Sequence, residues 1–580
     1  MVRVDPPHAI SADSIEGRRI RLDGLRKQAI ERGRNRLLMA GLMFVIGFST
    51  IGLRLVDLAL IQNGAEPRLA ESPVDQRLRM DRADIVDRNG IILATSLPTA
   101  SLYADPKLVL DPRDAARRLA RALPDLSESE VVARLESDRR FVWIRRHLTP
   151  QEKYAVNRLG IPGFYFQNDE RRVYPQGRLA AHVLGFTDVD NHGLSGVEKF
   201  FDDALSDGTA PVRLAIDLRV QYILRHELAA AMDEFNAIGA TGLVLDARNG
   251  EVLAMVSLPD FDPNAPEVGD SAARFNRATL GVYEMGSTFK VFTVAMALES
   301  GVVSLDGGYD ASHPMRLAGF TINDYKPKHR WLSVPEIFIY SSNIGAAKMA
   351  LDLGGKAQKH YLKELDLLRP ARIELPEIGS PLLPATWRDI NTATIAYGHG
   401  LSVSPLQLAS AVAAPVDGGV IRPATLLKRL PGEQPIGQQV LSPKTSAAMR
   451  WLFRLNVTHG TGKRADVPGL EVGGKTGTSE KAGLHGYRKN KLLSSFVAAF
   501  PMSDPRYVVV ALIDEPKGTK KTHGYATGGI VAAPVVQHVI SRMAPILGVS
   551  TETGFATDGD DSATPMIHEA AAKGTDRAVE

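Results

Sequence analysis

Tyr283-Glu284-Met285-Gly286-Ser287-Thr288-Phe289-Lys290 is the stretch on which the reading of this chain turns. It leads into Lys290–Glu299, an apolar segment rich in helix formers that Gly301 stops. A helix starting here carries Ser287 and Lys290 on one face, three residues apart. A serine hydroxyl is a weak nucleophile at neutral pH and needs a base beside it. Lysine serves as that base only when its pKa falls from about 10.4 towards neutrality, which burial or a second cation brings about. Gly286 fits a helix start, where backbone N–H groups are free and can stabilise an oxyanion.

Working outward, two further motifs follow in order, Ser341-Ser342-Asn343 and Lys475-Thr476-Gly477-Thr478. Lys475 is a candidate for the second cation. At ~4 Å and an effective dielectric of ~20, its repulsion on Lys290 is about 4 kcal/mol, roughly three pKa units as an upper bound. Ser341 offers a hydroxyl that can relay a proton between Lys475 and a leaving amine, and Asn343 an amide to hold Lys290 or a substrate backbone. Gly477 removes a side chain where a substrate strand would lie along an edge strand. Thr476 and Thr478 supply hydroxyls for a carboxylate, and the Thr478 N–H is a second oxyanion donor. Taken singly, each motif also has a structural reading. Ser287 can be an N-cap, Ser341 or Ser342 can cap a helix Asn343–Leu353, and Gly473–Gly477 can be a glycine-rich turn. Together the three motifs sit where nucleophilic catalysis needs them: helix start, helix start, and strand.

The rest of the chain supplies the frame. Ile85–Leu93 places apolar runs around Asn89-Gly90, a hairpin signal. Residues 111–160 carry helical periodicity, as in Arg113–Leu123 and Ser127–Leu135, and a turn-rich stretch runs from Tyr174 to Gly196. From Pro211 the pattern predicts a helix Leu218–Phe235 and strands Thr241–Asp246 and Glu251–Val256. Strands Lys475–Ser479, Ser494–Phe500 and Tyr507–Ile513 come late. Strands, then helices, then strands describe an α+β domain whose early and late strands share one antiparallel sheet packed by helices.

Charge is unevenly spread. Residues 1–36 hold nine Arg/Lys against five acids, while the remaining chain carries 60 basic and 61 acidic residues. A body so nearly neutral argues against nucleic acid as a partner. The basic tail meets seventeen uncharged residues, Leu37–Leu53, and the apolar pattern continues to give an expected transmembrane anchor over residues 37–58. No small-residue cleavage site follows it. Eight Arg/Lys between Arg18 and Arg36 predict a cytoplasmic N-terminus, with everything after the span outside the membrane. The expected organisation is a tail 1–36, anchor 37–58, α+β module 59–210, catalytic domain 211–548 and disordered tail 549–580. With no cysteine in its 580 residues, the chain has no disulfide, thiolate catalyst or Cys-based zinc site.

On these residues the chain resembles class B penicillin-binding proteins across roughly residues 36–547. Tyr283–Lys290 is similar to that family's nucleophile segment, with Met285 where proline is more usual, and Gly474–Thr478 resembles its third motif. Arg82-Ala83-Asp84-Ile85-Val86-Asp87-Arg88-Asn89-Gly90 resembles the first motif of the family's pedestal, with Ala83 in place of glycine. Arg172–Gly177 through His182 and Gly185, then Gly193-Leu194-Ser195-Gly196-Val197-Glu198, resemble the second and third.

The resemblance implies an elongated, non-catalytic pedestal, dimerisation-like in its family, and a serine-lysine transpeptidase domain with the penicillin-binding/β-lactamase-like fold. It implies a peptidoglycan D,D-transpeptidase that β-lactams inactivate, with Ser287, Lys290, Ser341, Asn343 and Lys475 catalytic and Thr476, Gly477 and Thr478 binding substrate. Within class B, the short tail and total length are most similar to the division-specific branch, with the elongation-specific branch as alternative. A β-lactamase or a catalytically silent scaffold are more distant alternatives. The implied partners are stem peptides of nascent lipid II-derived glycan strands, an FtsW-type glycosyltransferase and other divisome proteins at the inner membrane. No metal or cofactor is called for.

Overall fold

A computed structural model describes residues 38–53, 82–208, 210–430, 432–433, 435–483 and 486–549. The chain divides into two compact units, residues 1–79 and 80–580. In the first, residues 38–53 are helical, with their large apolar side chains exposed. Among the described residues no helix is long and apolar enough to cross a membrane. The expected span 37–58 runs past the described helix at both ends. The expected tails, 1–36 and all but the first residue of 549–580, lie outside the described residues, as do 59–81.

The larger unit is α+β and, among the described residues, holds two five-stranded sheets and three two-stranded ones. The first joins β1 (Ile85–Val86), β2 (Ile92–Ala104), β3 (Val142–Leu148), β4 (Phe164–Val173) and β5 (Val212–Arg213). β1 and β2 form the hairpin expected at Asn89-Gly90, where Asp87 accepts the N–H groups of Asn89 and Ile91, each at 2.8 Å. β5 pairs in parallel with β1, so this sheet takes residues just beyond 210. Helices Pro112–Ala122 and Glu128–Leu135 cover one face of the sheet, close to the expected bounds. The helical reading of 111–160 fails at β3. There Val142 and Ile144 point into the core while Trp143 and Arg145 point out, a two-residue alternation that β-branched and aromatic residues favour.

One carboxylate gathers the three pedestal segments. Glu198, fully buried, accepts from Arg82 at 2.8 Å and from Arg172 at 2.7 Å. Arg82 also reaches Asp202 at 2.7 Å. Gly185 and Gly196 let the second and third segments touch backbone to backbone, since a Cβ on Gly185 would lie 1.9 Å from the Ser195 carbonyl.

The second sheet runs β8 (Gly473–Gly483), β9 (Gly486–Phe500), β10 (Tyr507–Asp514), β6 (Gly239–Asp246), β7 (Val252–Leu258), all antiparallel. Early and late strands therefore share one sheet, as the pattern predicts. In β10, Val508, Val510 and Leu512 enter one core and Val509, Ala511 and Ile513 the other. Both faces are covered, which explains its unbroken apolar run. Helices Leu218–Glu234 and Ala532–Met543 pack on one side; Lys290–Glu299, Pro405–Val416 and Pro443–Thr458 pack on the other. β8 lies at the sheet edge, facing the turn that carries Ser287.

Candidate active site

Gly286–Phe289 forms a single 3-10 turn, and the α-helix begins at Lys290. In a 3-10 turn residues i and i+3 eclipse. Lys290 Nζ accordingly donates to Ser287 Oγ at 2.7 Å. Ser287 makes no N-cap bond here, which leaves its hydroxyl to the lysine. Gly286 has a left-handed φ of 57° and gives its own N–H to Gly398 O at 3.2 Å.

The adjacent serines divide their tasks. Ser342 caps the helix Asn343–Leu353, accepting from the Gly345 N–H at 3.0 Å. Ser341 ends the preceding helix, Val334–Tyr340, with φ 61° and ψ 45°. That left-handed backbone turns its hydroxyl towards both amines, 3.3 Å from Lys290 Nζ and 3.1 Å from Lys475 Nζ. Asn343 Oδ1 accepts from Lys290 at 2.7 Å, and its Nδ2 donates to the Asn323 carbonyl at 3.0 Å. Ser287, Lys290, Ser341, Asn343 and Lys475 thus form one hydrogen-bonded network.

Both amines are buried. Burial, reinforced by Lys475, drives the Lys290 pKa well below the ordinary lysine value, while the Asp324 carboxylate opposes this. Burial brings Lys475 down to about 7. Neither amine has a salt bridge among the described residues, so little holds their protons in place. The pair can hold a neutral amine next to Ser287 Oγ at neutral pH, which is what a base requires.

The third motif forms the facing wall. Thr476 Oγ1 lies 2.8 Å from Thr461 Oγ1 and 3.4 Å from Lys475 Nζ. Thr478 Oγ1 accepts the Gly528 N–H at 3.0 Å and keeps its own O–H to donate. A Cβ on Gly477 would sit 2.6 Å from the Met285 carbonyl and 2.3 Å from Ser495 Oγ. Glycine is what lets the strand close on the nucleophile turn.

Several residues of the site were not picked out from the sequence. Asp324 takes the Asn343 and Ile344 N–H groups at 2.6 and 3.0 Å, fixing the start of the helix that carries Asn343. Asn456 ties the Gly474 carbonyl at 2.7 Å to the Thr461 turn. Tyr397-Gly398-His399-Gly400 backs the Ser287 turn, with Lys290 Nζ 5.9 Å from the centre of the Tyr397 ring. His399 packs between Tyr397 and Tyr487 with tilted rings, and burial together with Lys290 lowers its pKa to about 4. Glu284 accepts from the Gly400 N–H at 2.7 Å and from Tyr487 OH at 3.0 Å, with burial raising its pKa. The two glycines flanking His399 were the available sequence signal for that turn. Among the described residues no group of three or more His, Cys, Asp or Glu is placed to hold a metal.

The penicillin binding protein transpeptidase domain model matches residues 240–541, and the penicillin-binding protein dimerisation domain model matches residues 78–213. The chain is 44% identical over 489 residues to the "probable peptidoglycan D,D-transpeptidase FtsI" of Caulobacter vibrioides, covering 82% of this chain and 83% of that one. It is 30% identical over 522 residues to the "peptidoglycan D,D-transpeptidase FtsI" of Escherichia coli K12, covering 84% and 86%. Among solved structures, the transpeptidase domain of Burkholderia pseudomallei penicillin-binding protein 3 superposes with a TM-score of 0.53 at 33% identity. It covers 59% of this chain and 98% of that one. A peptidoglycan synthetase from Bifidobacterium adolescentis shares the fold over 82% of this chain and 97% of that one, with a TM-score of 0.65 at 20% identity. The dimerisation domain followed by the transpeptidase domain, built around one serine and two buried lysines, places this chain in class B of the penicillin-binding proteins.

Proposed function

We propose that this protein cross-links peptidoglycan stem peptides at the division septum as a D,D-transpeptidase, through an acyl-enzyme on Ser287. The observation that carries the reading is the 2.7 Å contact of Lys290 Nζ with Ser287 Oγ, beside a second buried amine reached through Ser341. Lys290 takes the Ser287 proton as Oγ attacks the carbonyl of the penultimate D-Ala. The backbone N–H groups of Ser287 and Thr478 receive the oxyanion, a contribution of about 3–4 kcal/mol in other acyl-transfer enzymes. Breakage of the C–N bond releases the terminal D-Ala, whose amine gains its proton through Ser341. The amine of a second stem peptide then attacks the ester, forms the cross-link and returns the proton to Ser287. Thr476 and Thr478 hold the substrate carboxylate, and the donor peptide lies along the free edge of β8, a strand that Gly477 lets close on the Ser287 turn. A β-lactam enters the same path as a substrate mimic.

The septal role rests on likeness to proteins named FtsI, as do partnership with an FtsW-type glycosyltransferase and other divisome proteins and placement in the inner membrane. The basic tail 1–36, the span 37–58 and the division into a pedestal 59–210 and catalytic domain 211–548 complete the reading. Labelling membranes with a fluorescent penicillin tests it. The wild type gives a stable covalent band that Ser287→Ala lacks; rapid hydrolysis of the penicillin, or an unlabelled wild type with intact drug, overturns it.

A further inference from the structure

The outward face of the first sheet carries a continuous aromatic row. Tyr103 on β2 stands in register with Trp143 on β3 and with Tyr165 on β4. Phe141 completes the group, with ring centroids 4.7 to 6.2 Å apart. Leu102, Ala104, Val142 and Ile144, on the other face of the same strands, are buried beneath the helices. The row is therefore not this sheet's core contact. Phe141 and Tyr165 remain 45% and 42% exposed. Only 6% of the chain is aromatic, so four interlocked rings on an open face are a concentration that points to binding.

A second observation lies next to the first. Two of these strands, β3 and β4, line a cavity of about 780 Å³ that also takes in the loop 263–274 of the catalytic domain. Its lining includes Arg145, Arg146, His147, Arg171, Arg172 and Arg274, with Asp188 and Glu267 as its acids; Arg145 pairs with Asp125, Arg146 with Asp169 at 2.7 Å and Asp190 at 3.0 Å, and Arg172 with Glu198. Arg146 belongs to both features: it lines the cavity and its guanidinium sits 4.6 Å from the centre of the Trp143 ring. Arg172 is only 5% exposed, yet its Nη2 has no hydrogen-bond partner among the described residues. His147 Nε2 also lacks one, with Asp169 Oδ2 at 3.7 Å. Buried polar atoms are normally satisfied, and an unpartnered guanidinium N–H in the cavity lining suits an arriving oxyanion.

We propose that this face binds a peptidoglycan glycan strand outside the catalytic cleft, with sugar rings on the aromatic row and stem-peptide carboxylates on the cavity arginines. The inference rests on the peptidoglycan reading above. Flat, weakly polar C–H faces of pyranose rings match exposed aromatic faces, and the arginine fork matches a carboxylate. A protein partner adding a strand would seek a free sheet edge, whereas the row lies on a face.

The test uses full-length protein acylated beforehand with penicillin, so that the catalytic cleft is blocked, and co-sedimented with purified peptidoglycan. One sample of peptidoglycan is intact, and the other is stripped of stem peptides by an amidase. Trp143→Ala with Tyr165→Ala should weaken binding to both samples at least fivefold. Arg171→Glu with Arg274→Glu changes exposed side chains and should weaken binding to intact strands alone. Both variants should keep the wild-type acylation rate. Wild-type protein that fails to sediment, or variants that sediment like the wild type, overturn the proposal. Failure of the wild type to acylate overturns the transpeptidase reading instead.

Discussion

Ser341 Oγ lies 3.1 Å from Lys475 Nζ, brought there by a left-handed backbone, and the same oxygen is 3.3 Å from Lys290 Nζ. The hydroxyl is thus within hydrogen-bond reach of both amines. Ser341→Ala should lower acylation by penicillin about 10²- to 10⁴-fold, the range for a lost proton-transfer group. Ser341→Gly should be just as inactive but about 1 kcal/mol more stable than the alanine variant, because glycine tolerates φ 61°. Denaturant unfolding of the two variants measures the difference; equal stability would show that the left-handed turn carries no strain.

Asp324 opposes the fall in the Lys290 pKa while burial and Lys475 drive it. Acylation requires neutral Lys290 and so rises with pH through that pKa. Asp324→Asn removes the opposing charge and should move the acid limb of the acylation profile to lower pH, by about half a unit to one unit. A limb that moves up or stays in place refutes this assignment of the base.

Lys475 is charged in the unfolded chain below about pH 10.5, but its pKa in the fold is about 7. Between these values the unfolded state binds the extra proton. Stability therefore rises with pH across that window, by up to about 1.4 kcal/mol per unit. Lys475→Met should flatten the rise by one proton, abolish acylation and leave stability at pH 7 equal to or above that of the wild type. Urea unfolding between pH 7 and 10 reads this directly, and an unchanged slope contradicts it.

Gly398 has φ 85°, and a Cβ there would lie 2.0 Å from the Gly286 carbonyl. Gly398→Ala should cost at least about 2 kcal/mol and depress acylation, because the Ser287 turn must move. Gly301 has φ 71° with nothing within 4 Å of its added Cβ. Gly301→Ala should cost only about 1 kcal/mol and leave acylation unchanged. Comparable acylation in the two variants would remove Gly398 from the support of the nucleophile.

What could be read from the sequence was local. The Ser287–Lys290 spacing, the helix Asn343–Leu353 and the strand β10 each declare themselves within a dozen residues, through periodicity or a cap. Strand β3 was hidden because Arg139, Arg140, Arg145 and Arg146 surround its short alternation with charge and mimic a solvated helix. Asp324 and His399 were invisible for a different reason. Each works only after folding brings it to a helix start or to the back of a turn that is distant in sequence. The shared use of Ser341 by two lysines likewise depends on one left-handed residue, which no spacing announces.

Arg82 and Glu198 are 116 residues apart in sequence and joined at 2.8 Å, with Arg172 on the same carboxylate. Their union closes a long loop, as a covalent cross-link would, in a chain that has no cysteine to make one. It acts as a clasp made of charge. It needs no oxidant to fasten and no reductant opens it, so the pedestal's closure is independent of the redox state of its surroundings.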